Sequence, residues 1–157
     1  MDDLKDIAAY LISRMPAQST SNARLTKMVY LADWRSVVRS GKQLTGIQWY
    51  FDSYGPFVWD VYQSIEENLE TFEPDERRGR DGIRERVIRL RDKGFEPNLS
   101  DRCRETLDHV LLKTRNLGWK DFIRLVYSTF PIFHSEQFTD LDLAELGRRY
   151  KAQQTTD

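Results

Sequence analysis

Residues 27–34, KMVYLADW, decide the fold, because a helix built from them is apolar on nearly every face. Such a helix has no side suited to water, so it predicts the central spine of the domain. Working outward, the run STSN at 19–22 offers hydroxyl and amide oxygens to cap its start, and Gly41 closes it just after Arg39. Upstream, Leu4, Ile7, Ala8, Leu11 and Met15 repeat at helical spacing. Asp2 and Asp3 stand where the helix dipole favours negative charge, and Pro16 ends this first helix.

Downstream of Gly41, KQLTGIQWYFDSYG carries the aromatic and β-branched residues of a strand, with a turn or bulge at Gly46 and an end at Gly55. Pro56 suits the first turn of a helix, and Val58, Val61, Tyr62, Ile65, Leu69 and Phe72 continue it for about four turns. The polar run 73–82 reads as an exposed loop leading into a short strand, IRERVIRL, that pairs with residues 45–52 or forms a hairpin. Ser100 caps a helix through Asn116, buried along Cys103, Leu107, Val110 and Leu111. Another helix runs from Trp119 to Phe130 until Pro131 halts it, and Thr139 with Asp142 resembles a capping box for the last. The expected class is α+β and predominantly helical: one domain over residues 1–157, with about six helices and a small antiparallel β-sheet.

A chain of 157 residues is long enough to bury a sizeable core without staples. Its lone Cys103 has no disulfide partner, which fits a reducing, cytoplasmic setting. The N-terminus is acidic before its apolar part, unlike a signal peptide, and no apolar run approaches the ~20 residues that cross a bilayer. No membrane association is expected. The net charge of −1 is unevenly placed: residues 77–93 hold eight of the 24 basic and three of the 25 acidic residues, leaving 16 against 22 elsewhere. That asymmetry fits either a charged partner or an internal acidic counterface. A solvated strand and loop is the first reading of this segment, an acidic protein partner the second, and nucleic acid the third.

Catalytic constellations are absent from the sequence pattern. His109 and His134 are the only histidines, and Cys103 and His109, six apart, fall on different helix faces. There is no HExxH, glycine-rich phosphate loop or GxSxG, so no enzyme activity, catalytic residue, cofactor or metal site is expected. Asp33 lies inside the apolar spine and must be hydrogen-bonded or paired there; it reads as an anchor for the neighbouring loop. Residues 49–62 hold seven aromatics in fourteen positions, far above the 12% average. Within them Trp59 departs from the helical period of Val58, Val61, Tyr62 and Ile65. It packs under another segment or meets a partner, and both readings stay open.

The stretch MVYLADWRSVVRSGKQLTG, followed by SYGPFVWDVYQSI, resembles the Panacea-domain family, also called SocA-like or GepA-like. The matching positions are Lys27, Tyr30, Leu31, Ala32 and Asp33, then Gly41, Leu44 and Thr45, then Tyr54, Gly55, Pro56 and Tyr62. The resemblance spans residues 3 to 72, with a weaker echo in LVYSTFPIF at 125–133. It implies an antitoxin that neutralises a neighbouring toxin by direct binding, with Tyr30, Asp33, Gly55 and Pro56 as the structural motif. The alternatives it leaves are an adaptor that delivers a toxin or other client to a protease, and a nucleic-acid-binding regulator, the least favoured. Some relatives carry an added DNA-binding domain, for which this chain has no room. The residues expected to meet a partner are Tyr54, Trp59, Arg84 and Arg86.

Overall fold

The computed structural model describes residues 2–79 and 81–155. Helix α1 (Leu4–Ser13) opens on Asp3, whose carboxylate accepts the Lys5 N–H at 2.9 Å. After Pro16 the chain forms strand β1 (Ser19–Ser21), and the Ser21 hydroxyl then caps helix α2 (Asn22–Ser40) by accepting the Arg24 N–H. Gly41, at φ +80°, returns its N–H to the Val37 carbonyl and ends the helix in the left-handed conformation that glycine adopts without strain. Twelve α2 residues are buried, and the helix touches both helical and strand elements. The spine is therefore where its sequence pattern places it.

Strand β2 (Trp49–Asp52) turns back through Ser53 and Tyr54 into β3 (Gly55–Phe57), and helix α3 (Asp60–Glu66) follows. This corrects the expected four-turn helix from Pro56. Pro56 lies in β3 opposite Phe51, on the outer strand of its sheet, where a missing N–H leaves no ladder bond unmade. The helix ends after Glu66, and Phe72, the last residue of the apparent period, opens strand β4 (Phe72–Arg78).

Residues 73–78 are likewise a strand and not the expected loop. Strand β5 (Arg84–Leu90) pairs with β4 along its whole length and with β1 on its other edge, instead of with residues 45–52. The polar character that suggested a loop is what joins the strands: Glu73 sits opposite Arg89, and Glu76 opposite Arg86, with ion-pair contacts at 4.0 and 3.6 Å. Pro74 is again on an outer strand.

Helix α4 (Asp101–Thr114) starts at Ser100, whose own N–H and hydroxyl donate to the Asp2 carboxylate. Helix α5 (Trp119–Ser128) stops two residues earlier than expected, and Pro131 then sits in the first turn of α6 (Phe130–His134), starting a helix instead of halting one. Strand β6 (Asp140–Leu141) completes the second sheet, ordered β3-β2-β6. Asp142, not Thr139, caps α7 (Leu143–Thr155) by accepting the Glu145 N–H; the Thr139 hydroxyl donates to the Glu136 carbonyl. Gly147 of α7 lies against Val37 of α2 so closely that a Cβ there would overlap the valine methyl. The architecture is α+β and mostly helical, with seven helices and two small antiparallel sheets among the described residues.

Candidate functional site

Lys27, Tyr30 and Asp33 step three residues apart along α2, which puts them on one face, turned toward the β2–β3 hairpin and the loop before it. Asp33 is fully buried. Its Oδ1 accepts the N–H groups of Leu44 and Thr45 at 2.9 and 3.0 Å. Its Oδ2 accepts the Thr45 hydroxyl, the Trp49 indole N–H and the Gln43 amide at 2.5, 2.9 and 3.1 Å. Burial pushes the carboxyl up from its ordinary value, while the Thr45, Trp49 and Leu44 donors pull it back. All five contacts come from donors, so the ionised carboxylate is the form around which the 42–49 loop is wrapped. Tyr30 meets the same tryptophan ring edge-on, at 5.6 Å between centroids, and its hydroxyl bonds to Thr129 at 2.7 Å.

Gly55, at φ +104°, begins β3 where a Cβ would stand 3.4 Å from Tyr127 and 3.7 Å from the Lys27 stem. A side chain there would meet both a strained backbone and little room. Lys27 itself is 3% exposed, and its amine has no hydrogen bond or ion pair among the described residues. Burial draws its pKa from 10.5 down to about 8, against the pull of Asp52. The folded chain thus binds fewer protons than the unfolded chain between about pH 8 and 10.5, and this lysine's contribution to stability rises with pH across that window. Burial pushes the Cys103 thiol up to about 12, which acts in the opposite direction at alkaline pH, so the clean measurement is a difference. Lys27→Met is expected to be more stable than the wild type by about 3 kcal/mol at neutral pH, with the gap closing toward pH 10.5. Urea titrations of both proteins across this range check it; a gap independent of pH rejects a desolvated ammonium at this position.

The residues expected at a partner surface separate in space. Trp59 is 63% exposed at the start of α3 and is held edge-on by two neighbours, Phe57 at 5.2 Å and Tyr62 at 5.6 Å. The Arg86 guanidinium covers the Tyr62 ring at 4.4 Å, extending the row into β5. Arg86 also binds Glu66 and Glu76, and its side chain is only 15% exposed. It braces the aromatic row and has little surface left for a partner. Arg84 is exposed and lies opposite Arg78 near the hairpin end, a like-charged pair with no ion-pair partner among the described residues. Tyr54, 81% exposed, is at the other end of β3 from Trp59, in the β2–β3 turn. Phe138, which the sequence reading did not single out, joins that turn: its N–H donates to the Phe51 carbonyl, and the Gln137 amide donates to the Ser53 carbonyl. It is 56% exposed.

The charge asymmetry is met in part within the fold. Within 77–93, Arg77, Arg86 and Arg89, three of the eight basic residues, contact carboxylates of Asp75, Glu66, Glu76 and Glu73, so part of the segment's positive charge meets an acidic counterface inside the fold. Arg80 lies outside the described residues. No helix among the described residues is long and apolar enough to cross a membrane.

No curated protein and no solved structure matches the chain. Residues 25–130, more than half of its length and including most of α2, the β2–β3 hairpin and all of α4, match the family model described as antitoxin SocA-like, Panacea domain. The hairpin-clasping face of α2 lies wholly within that match, and the chain belongs to the SocA-like, Panacea-domain antitoxin family.

Proposed function

We propose that this protein neutralises a toxin by binding it directly, with Trp59 as the central contact and Tyr54 and Arg84 at the margins. The observation that carries the proposal is an exposed tryptophan held in a fixed aromatic row, within a chain of an antitoxin family. Large, preorganised aromatic side chains lose little freedom on binding and bury much apolar area, which is why tryptophan dominates interface energetics. Arg86 serves as a positioning residue that holds Tyr62 beneath Trp59. The protein acts by occupying a surface and performs no chemistry of its own. Cys103 is buried with its thiol held protonated.

The toxin is expected to be encoded beside this protein, in the same compartment, the cytoplasm. Co-expression tests the reading. The neighbouring gene's product should arrest growth alone, should be tolerated when this protein is present, and should co-purify with it. A product that is harmless alone, or that stays toxic and unbound, overturns the proposal. Faster disappearance of the product when both are present would mark delivery to a protease in place of simple occupation.

A further inference from the structure

Residues 43–76 contain no lysine or arginine, yet they carry eight carboxylates. The aromatic members of the Trp59 row all come from this stretch, so the charge around the row depends on which of those carboxylates the fold neutralises. Glu66 and Glu76 share Arg86, Glu73 meets Arg89, and Asp75 meets Arg77. Asp52 accepts the Ser53 N–H at 2.8 Å. The remaining three, Asp60, Glu67 and Glu70, are exposed, and their carboxylates have no hydrogen-bond or ion-pair partner among the described residues.

Two of these free carboxylates stand near the indole. Asp60 follows Trp59 directly, and Gln63, one helical turn on, leads to Glu67 one turn farther. All three line a depression of about 350 Å³ with Asp3 and Lys5 at the start of α1. It holds three carboxylates to one amine, and that amine lies over the Phe95 ring at 4.9 Å. The exposed cations Arg78 and Arg84 are two residues farther toward the end of the β4–β5 hairpin than Arg86. Within the row a cation already covers one ring, Arg86 on Tyr62 at 4.4 Å, whereas no cation among the described residues covers Trp59.

We propose that the Trp59 surface takes a basic segment of the toxin, with an arginine or lysine over the exposed indole and further cations beside Asp60 and Glu67. An indole attracts a cation more strongly than any other aromatic face. The uncovered ring and the free carboxylates therefore select the same sign of charge, and the assignment of that charge to the toxin rests on the toxin-binding reading above. An acidic segment would be repelled by Asp60 and Glu67. A wholly apolar one would strip water from both carboxylates without supplying a partner.

The test uses the full chain and two probes: the purified neighbouring gene product, and a fluorescein-labelled peptide of alternating arginine and glycine beside its counterpart with glutamate for arginine. Anisotropy titrations should show the arginine peptide bound at least tenfold tighter than the glutamate peptide, and less tightly as salt rises. The paired neutralisation Asp60→Asn and Glu67→Gln, at exposed positions, should cut arginine-peptide binding at least fivefold with an unchanged melting temperature. A charge-matched control, Asp121→Asn with Glu105→Gln on α5 and α4, should leave it unchanged. A photoreactive arginine peptide should attach to residues 57–67 of the unaltered protein, a readout that needs no variant. With the toxin, the Asp60 and Glu67 pair should lower affinity at least tenfold, mostly through the association rate. Toxin binding that survives Trp59→Ala would overturn this assignment together with the reading it rests on. Toxin binding that Trp59→Ala weakens, but that neither salt nor the paired neutralisation alters, would leave that reading standing and overturn the basic segment alone. Equal binding of the two peptides, an equal loss in the control, or attachment elsewhere would also overturn it.

Discussion

Asp33→Ala is expected to lower the unfolding free energy by about 3–5 kcal/mol, the range typical of removing one partner from a buried charged network. The reason is not the loss of one favourable contact. Alanine leaves the buried N–H groups of Leu44 and Thr45, the Thr45 hydroxyl and the Trp49 indole N–H without an acceptor, and each unsatisfied donor costs roughly 1–3 kcal/mol. At this chain length the melting temperature should fall by roughly 10 °C or more. Asp33→Asn should fall between the two. An asparagine oxygen can still accept from Leu44 and Thr45, but its NH₂ would then face the donors of Trp49 and Gln43. Thermal and urea unfolding measure the series, and amide exchange at Leu44 and Thr45 localises the loss to the loop. An alanine variant within 1 kcal/mol of the wild type would show that Asp33 does not anchor this loop.

Trp59→Ala is expected to weaken toxin binding by about 2–4 kcal/mol, roughly 30-fold to 1000-fold in affinity, with little change in stability. Both halves follow from its position. At 63% exposure it contributes little to the core, yet its geometry is fixed by Phe57 and Tyr62 before any partner arrives. Trp59→Phe should recover part of the affinity, because a smaller ring can occupy the same place in the row. Arg84→Glu, at a charged margin, should act mainly through association rate and salt dependence. Calorimetric or anisotropy titration of the purified toxin against each variant, beside a melting curve, separates binding from folding. Unchanged affinity for Trp59→Ala would remove the aromatic row from the interface, whatever the toxin proves to be.

Much of the helical frame was legible because its signals are local. The span of α2 could be read from an all-round apolar pattern, a serine at one end and a glycine at the other, all within one contiguous stretch. Trp59 stood out for a similar reason, since a residue that breaks the period of its neighbours cannot share their buried face. The α3 region misled because apolar spacing persists from Val58 to Phe72 while the backbone changes from strand to helix to strand. Periodicity reports which residues are buried, and a short helix followed by a strand can bury the same ones.

What the sequence by itself determined, then, is the spine, the buried faces of α1, α2 and α4, and the isolation of Asp33 and Trp59 within their segments. Only the tertiary structure decided how those pieces share surfaces. EPDERR became a strand because IRERVIRL supplied its hydrogen bonds and countercharges. Asp33 acquired its five donors because the 42–49 loop folded back over α2. Arg35, His109 and Lys113, on separate helices, came to line one groove because α2 packs on α4. A chain's pattern states which side of each element avoids water, whereas the partner of each side is chosen by packing between residues far apart in sequence.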